Sequence, residues 1–268
     1  MNGFLARMAA SSRARVAEAV GREPREALRL RALEAPLPPP LRNGHAFELI
    51  AEYKRRSPAL GPLVAAQGGH VERVSAYARG GAAAVSVLTE RSQFDGSLEQ
   101  LAACAEALAP LRVPVMRKDF LVDAYQLYET RAAGAGGALL IVRMLDDASL
   151  SELVECAGEL SLFVVLECFD AADITRAARH ADSETVLLGV NCRDLDSLAV
   201  ETSRLASLAA LLPAGSLCVA ESGLATPEDC AKAAMAGYGL ALVGGALMTA
   251  ADPEVAVRRM LAAGRAAA

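Results

Sequence analysis

The sequence predicts an α/β protein, a (β/α)8 TIM barrel preceded by an N-terminal helical extension. Three observations lead there. Eight short apolar runs follow one another, over residues 49–53, 84–88, 113–116, 138–142, 163–166, 186–190, 217–220 and 240–243. They start 35, 29, 25, 25, 23, 31 and 23 residues apart, and each interval suits one strand, one helix and two loops. The runs are apolar on both faces, as parallel strands covered by helices must be. The segments between them are amphipathic and rich in Ala, Leu and Arg. Several end in glycine, at Gly80-Gly81, Gly134 and Gly237, where a left-handed cap closes a helix before the next strand. The rival architecture is a doubly wound open sheet. No Gly-x-Gly-x-x-Gly follows the first run and no P-loop appears, and the count of eight favours the barrel.

Ahead of the barrel, residues 1–35 read as helical, with a break near Gly21 and Pro24. Pro36-Leu37-Pro38-Pro39-Pro40-Leu41 then ends any helix, because proline has no N–H to donate. The expected organisation is a helical arm and Pro-rich linker over 1–45 and a catalytic barrel over 46–268. The first 42 residues hold eight Arg and four Glu. The glutamates argue against a transit peptide, and no apolar core marks a signal peptide. Residues 233–251 are uncharged and long enough to raise the question of a membrane span. Gly237, Gly239, Gly244 and Gly245 break the stretch, which reads as helix end, turn, buried strand and glycine loop. No membrane association is expected.

The 268 residues carry 32 acidic and 27 basic side chains, a net charge of −5. That balance argues against a nucleic-acid partner. With 53% hydrophobic residues the chain can fill a large core. Six dispersed cysteines form no CxxC pair and no Cys/His cluster. They are expected as small buried apolar groups in a reduced, cytoplasmic setting, with no zinc site. The basic residues are 24 Arg and three Lys: Lys54, Lys118 and Lys232. Wherever charge alone was needed the chain uses Arg, so the positions of the three lysines are worth asking about.

Active sites of such barrels lie at the C-terminal ends of the strands. The eight runs place there, in order, Glu52, Lys54 and Ser57; Thr89 and Glu90; Arg117, Lys118 and Asp119; Arg143; Glu167; Asn191, Arg193 and Asp194; Glu221, Ser222 and Gly223; and Gly244 and Gly245. Lysine shifts its pKa when desolvated and can then move protons, whereas arginine stays charged. Lys54 and Lys118 therefore point to proton transfer, and Lys232 to a solvated helix surface. Glu52 and Glu167 stand where carboxylates can act as acid, base or electrostatic stabiliser. Ion pairing inside the barrel mouth is the alternative for all four. None of His45, His70 and His180 follows a strand directly, which argues against imidazole chemistry and a Ser-His-Asp triad. Ser222-Gly223 and Gly244-Gly245 follow runs seven and eight, whose loops commonly bind phosphate in this fold. Ser57 could add a hydroxyl.

Several segments carry a resemblance. Ile50-Ala51-Glu52-Tyr53-Lys54-Arg55-Arg56-Ser57-Pro58 resembles the first-strand signature of the indole-3-glycerol phosphate synthase family. Ala84–Glu90, Pro114–Phe120, Gly189–Leu195 and Ala220–Gly223 resemble its later segments, in the right order from about Phe47 to Leu261. The Glu-x-Lys-x-x-Ser-Pro and Arg-Lys-Asp-Phe segments are specific. The resemblance implies closure of the indole ring of 1-(2-carboxyphenylamino)-1-deoxyribulose 5-phosphate, with loss of carbon dioxide and water, in tryptophan biosynthesis. It implies no metal or organic cofactor, and it allows association with other enzymes of that pathway.

By the same resemblance Lys118 is the general acid and Lys54 contacts the substrate carboxylate and assists dehydration. Glu52 and Glu167 handle protons and stabilise the cationic intermediate. Asn191 and Arg193 orient the anthranilate and sugar parts, and Glu221 and Ser222 add contacts. Ser57, Gly223, Gly244 and Gly245 cradle the phosphate, and Phe120 walls the aromatic ring. The chain departs from the family pattern at Cys168-Phe169, where Val-His is common, at Cys192, where Asn or Ser is usual, and at Gly245, where Glu or Ser is frequent. Residues 59–70 lack the lysine often seen after Ser-Pro. Two other readings stand beside this one. One is another phosphate-binding barrel enzyme such as phosphoribosylanthranilate isomerase, whose Cys/Asp acid–base pair the Glu-x-Lys signature argues against. The other is a non-catalytic barrel serving as an assembly partner.

Overall fold

The computed structural model describes residues 3–42, 44–58, 61–63 and 69–268. Eight parallel strands close a barrel in sequence order. They are β1 (Glu48–Tyr53), β2 (Ala84–Leu88), β3 (Val115–Lys118), β4 (Gly137–Ile141), β5 (Phe163–Cys168), β6 (Val186–Asn191), β7 (Cys218–Glu221) and β8 (Leu240–Val243), which pairs back onto β1. A short antiparallel pair, Arg56–Ser57 with Gly61–Pro62, sits just beyond β1. The part of the 59–70 segment at residues 59, 60 and 64–68 lies outside the described residues.

Four of the eight strands, β3, β5, β6 and β7, end later than apolarity alone predicts. β5, β6 and β7 run on through Glu167, Asn191 and Glu221. β3 begins two residues later than expected and runs through Lys118. Val113 still donates to the Leu108 carbonyl at 3.3 Å, closing the preceding helix. Pro114 has no N–H for the ladder, so the ladder opens at Val115. At the far ends the backbone stays paired as long as neighbours offer partners, whatever the side chain carries. β4 instead stops one residue early, because Val142 opens a 3-10 turn, Val142–Met144.

Alternation along each strand makes two cores. Outward residues such as Ala51, Val85, Val115, Leu140 and Val164 pack against the helices. Inward residues such as Ile50, Ala84, Met116, Leu139, Val165 and Val219 fill the lumen. Ser97, Asp123, Asp146, Asp170, Thr226 and Asp252 each accept a backbone N–H at the start of a helix, worth about 1 kcal/mol apiece. Gly81, Gly134 and Gly237 take φ of 100°, 81° and 95° at helix ends, as the sequence suggests. All six cysteines are free and buried.

The arm forms α1 (Phe4–Arg22) and α2 (Arg25–Glu34), broken at Glu23-Pro24. Met8 and Ala9 of α1 join the lumen cluster. Val16 and Ala19 pack with Leu28 of α2 and Tyr125. Ser12 Oγ donates to the Phe120 carbonyl at 2.5 Å, and Arg15 grips both oxygens of Asp119 at 2.8 and 3.0 Å. The Phe4 N–H reaches Asp196 at 2.7 Å. These bonds fasten α1 to the loops after β3 and β6. The uncharged stretch 233–251 resolves into the end of helix Pro227–Met235, a turn, β8 and the short helix Gly245–Thr249. No helix of the described residues is long and apolar enough to cross a membrane.

Candidate active site

The register of the barrel decides which inward side chains share a level. Glu52 aligns with Ser86 and Ser86 with Met116, so Lys118 is the inward residue one step above Met116. Glu167 aligns with Gly189 and Gly189 with Val219, so Glu221 stands one step above Val219. Carried around the ring, this stagger puts Glu52, Lys118, Glu167 and Glu221 in one layer, contributed by β1, β3, β5 and β7. Such four-residue layers from alternate strands are how these barrels fill their lumen. Here the top filled layer holds three carboxylates and one ammonium. Leu88, Ile141, Asn191 and Gly244, from the other four strands, lie next above it.

The charges are paired closely. Lys118 Nζ lies 3.0 Å from Glu221 Oε2 and 3.4 Å from Glu167 Oε1. Lys54 Nζ donates to Glu52 Oε1, and Asn191 Nδ2 to Glu167 Oε1. Asn191 Oδ1 in turn accepts from the Arg193 N–H at 2.8 Å. Burial works against the Lys118 ammonium, but Glu167, Glu221 and Glu52 outweigh it and hold its pKa well above the usual lysine range. Burial pushes Glu52 up as well, and Lys54 and Lys118 overcome this, so its carboxyl titrates lower than usual. Glu221 goes the other way. Burial outweighs the attraction of Lys118, Glu167 adds to the upward push, and the carboxyl rises to about 8. Glu221 Oε1 is also buried without a hydrogen-bond partner. The layer therefore combines a firmly protonated lysine with a carboxyl that holds its proton near neutrality.

Above this layer opens a cavity of about 520 Å³. Glu52, Lys54, Lys118, Glu167, Asn191, Arg193 and Glu221 line it, and so do Ser57, Phe120, Ser222, Gly223, Gly244 and Gly245. All thirteen residues singled out from the sequence thus face one space. Ser222 and Gly223 follow β7 with successive φ of 67° and 75°. Leaving the left-handed region only to glycine is the rule, so Ser222 is a strained exception at the mouth. A Cβ on Gly244 would overlap the Glu52 carboxylate and lie 2.9 Å from Lys54 Nζ. The missing side chain at Gly244 is thus explained by the Glu52–Lys54 pair, whatever its backbone binds.

Other strand-end residues are engaged in contacts of their own, although Asp119 also borders the cavity. Arg117 alternates outward and is spent on Thr89, Glu129, Asp119 and the Gln126 carbonyl. Arg15, Arg117 and Thr89 overcome the burial of Asp119 and hold its carboxyl far below the usual range. Glu90 caps the helix Arg91–Phe94. Arg143 pairs with Asp170 and Asp173 and lies over the Phe169 ring at 4.6 Å. Asp194 closes its own turn with Ser197. Lys232 is exposed, as expected. Cys168 and Cys192 both lie in the outer core, so neither cysteine enters the cavity.

Sequence reasoning placed Phe120 in the apolar wall and missed the rest of it. Phe4, from the start of α1, meets Phe120 edge-on at 5.6 Å, and Phe94 lies tilted against Phe120 at 6.4 Å. Leu88, Ile141 and Leu242 line the cavity too. Period-two alternation could have found the three aliphatic residues. Nothing local marks Phe4, which is held from 192 residues away by Asp196.

Comparison with known proteins identifies the family. The profile of the family described as "Indole-3-glycerol phosphate synthase" matches residues 5–260. An indole-3-glycerol phosphate synthase of Verminephrobacter eiseniae is 39% identical over 98% of this chain and 100% of its own length. One of a Nocardioides species is 45% identical over 79% of each chain. Among solved structures, a thiamine phosphate pyrophosphorylase from Pyrococcus furiosus superposes with a TM-score of 0.62 at 14% identity, covering 83% of this chain and 98% of its own. The α subunit of tryptophan synthase from Legionella pneumophila does so with 0.54 at 18%, covering 82% and 92%. These two likenesses show the barrel fold alone. The chain belongs to the indole-3-glycerol phosphate synthase family.

Proposed function

We propose that the protein is an indole-3-glycerol phosphate synthase. It closes the indole ring of 1-(2-carboxyphenylamino)-1-deoxyribulose 5-phosphate and releases carbon dioxide and water, which makes it a carboxy-lyase of tryptophan biosynthesis. The observation that carries this is the layer of Glu52, Lys118, Glu167 and Glu221 under a cavity with an aromatic wall on one side and two glycine loops on another.

Ring closure needs an acid at the carbonyl oxygen that develops charge, an acceptor for the protons later lost, and an anion site. Lys118, kept as an ammonium by its carboxylates, protonates the ribulose carbonyl oxygen as the ring carbon attacks. Lys54 takes the substrate carboxylate before it leaves as carbon dioxide and then assists dehydration. Glu52 and Glu167 stabilise the cationic intermediate and accept protons. Asn191, locked between Glu167 and the Arg193 backbone, orients the anthranilate part with Arg193. Glu221 and Ser222 add contacts to the sugar. Ser57, Gly223, Gly244 and Gly245 hold the phosphate through the hydroxyl and backbone N–H groups. Phe120 lies against the aromatic ring.

In this reading residues 46–268 are the catalytic domain and residues 1–45 an arm and linker. The setting is cytoplasmic, and other enzymes of tryptophan biosynthesis are its natural associates. The isomerase alternative loses support because no cysteine lines the cavity. The test is formation of indole-glycerol phosphate by the purified protein from the anthranilate-ribulose phosphate. No turnover by a folded sample would overturn the reading.

A further inference from the structure

Beneath the charged layer the register places Ser86, Leu139, Gly189 and Leu242, from the four alternate strands. Ser86 is the one polar side chain among them. It is fully buried, and its Oγ has no hydrogen-bond partner. Its Cα is the register partner of Glu52, and its side chain points into the same lumen, between β1 and β3. An unpaired buried hydroxyl is destabilising, and alanine would fill the place without that cost.

Glu52 takes its hydrogen bond from Lys54 here. A ligand carboxylate that draws Lys54 away leaves Glu52 buried and short of a donor, a state that is costly unless another donor is at hand. Lys118 already divides its N–H groups between Glu167 and Glu221. We propose that Ser86 is the reserve donor, whose hydroxyl bonds to Glu52 when Lys54 turns to an anionic ligand. Ser86 is thereby a positioning residue that keeps Glu52 in place during turnover without touching substrate. The proposal rests on the function above only for what draws Lys54 away.

A thermal double-mutant cycle and steady-state kinetics test it. In the wild-type background Ser86→Ala is expected to leave Tm unchanged or raise it. In Lys54→Met, where Glu52 already lacks its lysine, the same change is expected to lower Tm by at least about 3 °C. Lys54→Gln serves as a second background with the same expected reversal. With substrate, Ser86→Ala is expected to lower kcat about tenfold, the scale of one hydrogen bond to a charged group, with KM unchanged. Equal Tm effects in all backgrounds overturn the proposal, even in a protein that turns nothing over. An unchanged kcat overturns it too. Absence of turnover by the wild-type protein defeats the proposed function instead and leaves the thermal cycle to decide on Ser86.

Discussion

Lys118 and Glu221 stand on β3 and β7, opposite sides of the barrel, and their side chains meet in the lumen with Nζ 3.0 Å from Oε2. The contact spans the floor of the cavity. It draws an ammonium and a carboxyl from 103 residues apart into one low-dielectric site, where their charges are felt more strongly than in water.

Lys118→Arg keeps the charge but replaces an amine that can give up its proton. Turnover is expected to fall at least ~10²-fold, the scale of general acid catalysis. Circular dichroism should show the fold intact. Lys232→Arg, on the exposed helix surface, is expected to be silent in the same assay, and equal rates for the two variants would remove Lys118 from the acid role.

Glu221 makes folding pH-dependent. Its folded pKa, about 8, lies above the ordinary carboxyl value of 4.5. Between those values the folded state binds the extra proton, so this group favours the fold at low pH and the benefit is lost as pH rises through 8. Chemical denaturation of wild type and Glu221→Gln at pH 5 and pH 8 should show a steeper loss in the wild type. A wild-type slope equal to that of the variant would contradict the shift.

Gly189→Ala would drive a methyl group into Glu221 Oε1 and to within 2.9 Å of Val165. Overpacking of this kind costs about 1–3 kcal/mol. The variant is expected to lose stability on that scale and to lose kcat with it, because Glu221 must leave its place beside Lys118. Gly158, where a Cβ would meet nothing, is the control.

Phe4→Ala removes the edge-on partner of Phe120. Aromatic pairs contribute about 0.5–1.5 kcal/mol, so KM is expected to rise up to about tenfold while kcat holds. A fall in kcat at constant KM would instead give Phe4 a part in the chemistry.

Much of the barrel and its site could be read along the chain. Eight apolar runs at intervals of one β-α unit require eight covered parallel strands, because apolar faces on both sides of a strand must be buried. The rarity of lysine pointed to Lys54 and Lys118, since lysine, unlike arginine, can give up its proton at such a place. What apolarity could not mark was where strands end. Glu167, Asn191 and Glu221 are polar and yet belong to the ladders, and that makes them inward-facing rather than loop residues.

Only the tertiary structure decided which of these residues meet. Arg117 and Lys118 are neighbours in sequence and face opposite sides of β3, one spent on the outer wall and the other at the centre of the site. The shear of the closed barrel sets Glu52, Lys118, Glu167 and Glu221 at one level, a relation that depends on strand register around the whole ring and appears in no local pattern. The closure of the cavity by Phe4 likewise depends on where α1 is fastened, at Asp119, Phe120 and Asp196. Local sequence sets which residues can sit on a strand or cap a helix. Pairing across the ring sets which of them share a layer, and so where the charges are concentrated.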